Sequence, residues 1–393
     1  MSHRYPPKFY IETYGCQANE ADSEKAEVKL LSLGLEKSDS PGSCDIFIIN
    51  SCSVRQKSED KVYGLGKALK FFDKKPFVVL MGCMVGSVTG DRVRYERKDL
   101  ERRTPWVDLY LSSSDLDLLP SLLQKAGVFR LSGQEISNSD KSASRMVQTL
   151  VSLDHPLKGF VNISSGCDNF CSYCVVPYSR GKEVSRPKVE IINEIEKLMG
   201  KGVTSVTLCG QNVNSWGLTK EQKRKVRIGS ETTLPFAALL REVHDIAGIK
   251  QVSFLSSNPF DFTNDLVDAI KSPKVDNYLH IAVQSGNNDI LRRMNRRHTV
   301  EEFLDLIRRI QMVKPNLRLG TDIIVGFPGE TREQFMDTVK LFYQIKFRVT
   351  FISIYSPRKG TMADKMYQDD VSREEKRYRH KFLTKVWRES IKE

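Results

Sequence analysis

The sequence predicts an α/β protein in two parts, a Rossmann-like or flavodoxin-like parallel-sheet domain followed by an incomplete barrel of six βα units. Three observations carry that reading. Strand, turn and helix signals alternate along both halves. Three widely spaced cysteines, Cys16, Cys52 and Cys83, each follow a predicted strand. Three more, Cys167, Cys171 and Cys174, fall within eight residues after the first strand of the second half.

In the first half, residues 8–13 (KFYIET) are rich in β-formers and lead into the turn Tyr14-Gly15-Cys16. A helix is expected from about Asp22, with Ala26, Val28, Leu30, Leu31 and Leu33 as its apolar positions and Gly34 as its stop. The pattern repeats. Residues 45–50 (DIFIIN) form a buried-type strand before the turn at Cys52, with a polar helix from near Gln56, and residues 76–81 (PFVVLM) precede the turn at Cys83. A fourth strand is expected over 107–111 and a closing helix over 116–126. The charge-dense run 91–103 reads as a solvated helix or loop.

Successive strand-turn-helix units imply a parallel sheet with all three cysteines at its carboxyl edge, where open α/β sheets bind ligands. Each cysteine could equally be a small buried hydrophobe, a reading that weakens when three share one topological position. Cys44 and Cys209 are read as packing residues.

Residues 132–146 turn polar and Ser/Asn-rich, as a linker would, so the expected domains are 1–146, 147–371 and a basic helix over 372–393. Candidate strands of the second half are 159–164, 205–209, 251–255, 278–283, 318–325 and 350–355. Among its helices are 190–199, 234–247 and 300–313, the last opened by the capping-box pair Thr299 and Glu302. Functional groups of a barrel sit on the loops after its strands. Besides the cysteine loop, these are Gly210-Gln211-Asn212, Ser256-Ser257-Asn258-Pro259, Gln284-Ser285-Gly286, the loop 326–330 and Ser356-Pro357.

The chain carries 61 Lys+Arg against 49 Asp+Glu, a net charge of +12, which suits a polyanionic partner. The basic runs 220–227 and 292–297 are candidates for gripping phosphates, although such runs are commonly just solvated faces. No apolar run approaches membrane-spanning length and no export signal opens the chain. A cytoplasmic protein with eight reduced cysteines is expected, and metal binding or redox chemistry rather than a disulfide framework.

A structural zinc site wants four protein ligands, and Cys167-x3-Cys171-x2-Cys174 supplies three. An iron-sulfur cubane on three thiolates leaves one iron open, which the spacing favours. In this setting the motif resembles the radical S-adenosylmethionine (SAM) superfamily, whose open iron takes SAM and whose reduced cluster splits it to a 5′-deoxyadenosyl radical.

The runs TYGCQANEADSE at 13–24, NSCSVR at 50–55 and MGCM at 81–84 resemble the amino-terminal domain of the methylthiotransferase branch. CVVPYSRGKEVSRP at 174–187 and GQNVNS at 210–215 are similar to its MiaB type, which adds a methylthio group to C2 of N6-isopentenyladenosine beside the tRNA anticodon. The ribosomal-protein type usually reads G-C-P-K-N in the first motif and the threonylcarbamoyladenosine type G-C-K-V-N, whereas Gln17 and Ser53-Val54-Arg55 stand here.

The resemblance implies two 4Fe-4S clusters, an auxiliary one on Cys16, Cys52 and Cys83 and the radical-SAM one on Cys167, Cys171 and Cys174. One SAM would serve as methyl donor and a second as radical source. Candidate SAM contacts are Arg186, Gln211, Asn212, Ser257, Gln284, Ser285 and Asp322. The implied partners are the tRNA anticodon stem-loop, a reductant such as flavodoxin or ferredoxin and a sulfur donor, around a monomeric enzyme. Chains of this type usually end in a small TRAM β-barrel, which is not expected before Glu393. The competing functions are methylthiolation of a ribosomal protein or of threonylcarbamoyladenosine tRNA, and a non-catalytic electron carrier.

Overall fold

The computed structural model describes residues 6–129, 150–151 and 158–392, so the expected linker 132–146 lies outside the described residues. The chain divides into two compact units, residues 1–148 with the short segment Val175–Lys182, and residues 149–174 with 183–393.

In the first unit, strands β1 (Lys8–Tyr14), β2 (Glu36–Lys37), β3 (Ile46–Ser51), β4 (Phe77–Met81) and β5 (Leu109–Leu111) form one sheet. Every pairing is parallel and the order is β2-β1-β3-β4-β5. That is the flavodoxin-like order, with its switch point between β1 and β3. All six residues of β3 are buried, since helices cover both faces of a parallel sheet.

Two apolar clusters result. Phe9, Ile46, Ile48, Val79 and Met81 pack with Ala26, Leu30 and Leu119 on one face. Phe47, Ile49, Val78 and Leu80 pack with Val62 and Leu100 on the other. Cys44 belongs to the second cluster, as its packing assignment expected.

The first helix starts at Gln17 rather than near Asp22, because the Cys16 carbonyl already accepts from the amides of Asn19 and Glu20. Cys16 is therefore the cap residue of that helix. The expected closing helix is divided into a 3-10 turn, Ser113–Leu118, and an α-helix, Leu119–Lys125, with Pro120 at the start where its missing N–H costs nothing.

In the second unit, β6 (Leu150–Val151) is antiparallel to β7 (Lys158–Asn162), and β8 (Ser164–Ser165) pairs with β9 (Val184–Ser185) as a small ribbon. The main array is β7, β10 (Ser205–Cys209), β11 (Gln251–Phe254), β12 (Tyr278–His280), β13 (Arg318–Val325) and β14 (Phe347–Ile354). Ladders join β7, β10 and β11, and separately β12, β13 and β14. The parallel bridge Ser257↔Ile281 links the two sets. Six parallel strands in chain order, with helices on the outer face, make the partial barrel that the sequence predicts.

The helix Val300–Val313 carries the expected capping box, Thr299 accepting from the Glu302 amide at 3.2 Å while the Glu302 carboxylate accepts from the Thr299 amide at 2.8 Å. The basic helix at the end, Arg373–Ser390, packs on the barrel. Leu383 and Val386 join the barrel core, and Trp387 donates through Nε1 to the Phe347 carbonyl at 2.9 Å.

Candidate active site

Three of the first unit's cysteines sit where a strand ends. Cys16 caps the helix after β1, Cys52 follows β3, and Cys83 opens the short helix Cys83–Gly86 after β4. Cys16 and Cys52 thus stand on either side of the switch point. The three thiols interact directly, Cys52 being hydrogen bonded to both Cys16 and Cys83, which pushes the Cys52 thiol up. Those bonds, working against burial, draw Cys16 down to about 5 and Cys83 to about 6.

The backbone between them is shaped by small residues and two buried asparagines. Asn19 donates through Nδ2 to Asn50 Oδ1 at 2.9 Å, and Asn50 returns a bond from its own Nδ2 to the Asn19 carbonyl at 2.7 Å. Gly82 holds φ +97 between β4 and Cys83. A Cβ there would stand 2.2 Å from Asn50 Oδ1. Gly86 is similarly required, because an added Cβ would lie 2.0 Å from the Ser179 carbonyl oxygen.

The segment Val175–Lys182 thereby brings in a residue that sequence reasoning missed. Arg180 donates through Nε to Cys83 Sγ at 3.2 Å and through a terminal nitrogen to Asp22 Oδ2 at 2.9 Å. Its only sequence signal is its place in the SRGK run. Below Cys52 and Cys83, the buried pair Arg94 and Glu59 meets Ser53, and Ser87 donates to the Cys83 carbonyl.

In the second unit, Cys167, Cys171 and Cys174 lie on the loop after β7. Burial pushes the Cys167 thiol up, reinforced by the charges of Cys174 and Cys171. The loop is pinned at several points. Glu183 Oε2 accepts from the Asp168 amide and pairs with Lys223, Asn295 donates to the Phe170 carbonyl, and Ser172 donates to the Arg293 carbonyl. Arg296 reaches Cys171 Sγ at 3.5 Å through Nη1, which also donates to Asn258 Oδ1 at 2.7 Å. Its Nη2 donates to the Ala282 carbonyl at 2.5 Å.

Two phosphate-gripping expectations are corrected here. Lys223 is buried against Glu183 and Arg296 against Cys171 and Asn258, so neither presents its charge to solvent. Arg297 pairs with Asp261 Oδ1 at 3.0 Å, while Arg292, in a surface pair with Asp289, and Arg293 are exposed. Lys220, Arg224, Lys225 and Arg227 are exposed.

The expected nucleoside contacts separate into two sets. Asn212 is fully buried, bonded to Ser215, Asp261 and Asn258, and works as a strut between the loops after β10 and β11. Ser285 is likewise buried, against Thr338, and Ser257 donates to the His280 carbonyl. Arg186 donates to the Asn162 carbonyl at 2.6 Å and pairs with Glu194, which fixes the β7 end.

Gln284 and Asp322 differ. Gln284 holds φ +77 on the loop after β12 with Oε1 buried and unpartnered, a strained residue presenting a free acceptor. Ser256, after β11, and Phe170, inside the cysteine loop, share this left-handed conformation. Asp322 lies half-exposed, its Oδ2 2.9 Å from His280 Nε2, while His280 Nδ1 meets the Tyr278 hydroxyl at 3.1 Å. Gln211 is partly exposed on the loop after β10.

These features fit iron-sulfur cubanes and a polar nucleoside ligand. Among the described residues no three His, Cys, Asp or Glu side chains converge on a single ion. A cubane does not need that, since each thiolate takes a different iron. Ser164 Oγ, Asn169 Nδ2, Gln284 Oε1 and Arg296 Nε are buried polar atoms without a partner on the cysteine loop, its neighbouring strand or the loops after β12, the kind of orphan a bound ligand satisfies.

Comparison with known proteins agrees. Residues 161–342 match the Radical SAM superfamily and residues 8–112 the Uncharacterized protein family UPF0004. A tRNA-2-methylthio-N(6)-dimethylallyladenosine synthase of Clostridium beijerinckii is 39% identical over 363 residues, covering 91% of this chain and 76% of its own. The synthase of that name from Clostridium perfringens is 40% identical over 364 residues, covering 91% and 77%. A radical S-adenosylmethionine methyltransferase, TsrM from Kitasatospora setae, solved with cobalamin and a 4Fe-4S cluster, has a TM-score of 0.57 at 11% identity and covers 91% of this chain and 77% of its own. The cobalamin-dependent radical enzyme OxsB reaches 0.53 at 12% identity, covering 97% and 56%. At such identities the two structures speak for the fold alone.

Proposed function

The chain belongs to the family of the tRNA-2-methylthio-N(6)-dimethylallyladenosine synthases, and from that premise we propose that it inserts a methylthio group at C2 of N6-dimethylallyladenosine, also called isopentenyladenosine, in tRNA. The observation that carries the reading is the pair of three-cysteine sites, one at the switch point of a flavodoxin-like sheet and one after the first strand of a partial barrel. C2 of adenine bears no acidic proton, so general acid-base catalysis has nothing to remove, and a cofactor must supply the reactivity. Cys167, Cys171 and Cys174 would hold a cubane that would supply the electron making SAM a radical source, and Cys16, Cys52 and Cys83 one that would supply the sulfur for methylation by another SAM.

The residues of the chain bind and orient. The pinned loop from Cys167 to Cys174 buries Cys167 and leaves Cys171 and Cys174 partly exposed. Gln284 Oε1 offers a fixed acceptor to the ligand, and Asp322, steadied by His280, offers a carboxylate from the inner face of the barrel. Asn212 and Asn258 hold two of the loops in place. The exposed Lys220, Arg224, Lys225 and Arg227, with Arg292 and Arg293, are basic residues that could meet tRNA phosphates. The reading includes a monomer in the cytoplasm, a flavodoxin- or ferredoxin-class reductant and a separate sulfur donor.

The test is the reconstituted protein incubated anaerobically with reductant, SAM and isopentenylated tRNA, followed by nucleoside analysis. The 2-methylthio nucleoside is expected. Its absence while 5′-deoxyadenosine accumulates would reject tRNA as the substrate, and absence of both would reject the reaction class.

A further inference from the structure

Both three-cysteine sites share a feature that the proposed function does not use, a buried arginine set against one sulfur. In the first unit Arg180 Nε lies 3.2 Å from Cys83 Sγ, 97 residues away in sequence. The arginine is aimed by Asp22, whose Oδ2 also accepts from Ser113 at 2.9 Å. In the second unit Arg296 Nη1 lies 3.5 Å from Cys171 Sγ, aimed by Asn258 and the Ala282 carbonyl and stacked 5.0 Å from the Phe260 ring centroid. Arg296 is buried, with 7% of its surface exposed, and the Arg180 side chain keeps 10% of its own exposed.

A buried guanidinium is costly without an anion to meet it. Asp22 meets Arg180 in part, but the Nε donor points at sulfur. Arg296 has no carboxylate within ion-pair distance among the described residues, and its polar partners are a neutral amide, a carbonyl and the thiol. Three thiolates on a 2+ cubane make a net anion, and reduction adds another negative charge. Hydrogen bonds to cluster sulfurs and local charge are among the factors that set reduction potentials, and charge-assisted bonds to an anionic acceptor are the stronger kind.

We propose that Arg180 and Arg296 are positioning residues that each donate an N–H bond to one cluster thiolate, seat that anionic cluster and raise its reduction potential, independently in the two units. The inference rests on the reading of the six cysteines as cluster ligands.

The experiment uses the full chain in two backgrounds, each holding one cluster. Arg180→Gln is introduced with Cys167, Cys171 and Cys174 replaced by Ala, and Arg296→Gln with Cys16, Cys52 and Cys83 replaced by Ala. Iron content and the midpoint potential of the remaining cluster are measured by anaerobic redox titration. Each background should hold about four irons. If it holds none before the arginine is changed, the cluster reading fails, which is a separate result.

With iron retained, each Gln variant should titrate at a lower potential than its background, and the Lys variant should fall between, since Lys keeps the charge but not the directed fork. Should the Gln variant not fold by circular dichroism, the Lys variant alone decides. An unchanged potential at full iron content in the folded Gln variant, or in the Lys variant where Gln does not fold, overturns the proposal.

Discussion

Gly82 concentrates the physical demands on the first cysteine site in one residue. It ends the turn after β4 at φ +97, a conformation in which any side chain is strained, and an added Cβ would press on the Asn50 amide that locks the Cys16 helix to β3. Gly82→Ala should therefore cost at least about 1–3 kcal/mol of stability in the first unit. Iron should be lost from the Cys16, Cys52 and Cys83 site while the other site keeps its share. A variant that melted like the parent and kept all its iron would show that the turn relaxes freely. At this scale the placement of the six cysteines after strands was legible, because position after a strand and close spacing are properties of sequence. Arg180, Arg296, Asp22 and Asn50 were not, because their contacts span 31 to 158 residues and no local period encodes them. For the same reason the basic run 292–297 misled, since nothing local separates Arg296, buried on Cys171, from its solvated neighbours.

Elements were read best where burial imposes a period or a cap. The strands β10 and β13 fall where the sequence put them, and the Thr299 capping box opens its helix as expected. The two-residue strands β2, β6, β8 and β9 went unread because a pair of residues shows no alternation. The Cys16 helix was started too late since Asn19, Glu20 and Asp22 face partners or solvent and offer no apolar signal. The last helix shows a third case, in which composition hides burial. Its basic composition set it apart from the barrel, yet Arg379 pairs with Glu330 with both side chains buried and also donates to the Glu330 carbonyl. Glu330 in turn receives the Gly326 amide at 2.6 Å. The helix thus anchors the loop after β13. Leu383→Ala, which empties a fully buried position of this helix, should cost about 2–5 kcal/mol and lower the urea midpoint of the second unit. The exposed Lys385→Ala should stay within about 0.5 kcal/mol. Equal midpoints for the two would mean that the helix contributes little to the barrel.

At the scale of the whole chain, the two cysteine sites belong to different folds and draw their supports from different residues, Asn19, Asn50, Asp22 and Arg180 in one, Glu183, Asn295, Ser172 and Arg296 in the other. Independent supports predict separable losses. The parent should bind about eight irons per chain, and each triple Cys→Ala variant about four. The activities should separate unequally. Without Cys16, Cys52 and Cys83 the chain should still cleave SAM to 5′-deoxyadenosine under reducing conditions, because the Cys167 loop is pinned within its own unit, but it should form no methylthio nucleoside. Without Cys167, Cys171 and Cys174 both activities should vanish, since nothing then makes SAM a radical source. If replacing the first triad abolished SAM cleavage as well, with about four irons still bound, the two sites could not be the separable functions that their separate supports imply. If iron did not fall at all, the first triad would be three packing cysteines at a sheet edge, the plain alternative that their sequence positions had left open.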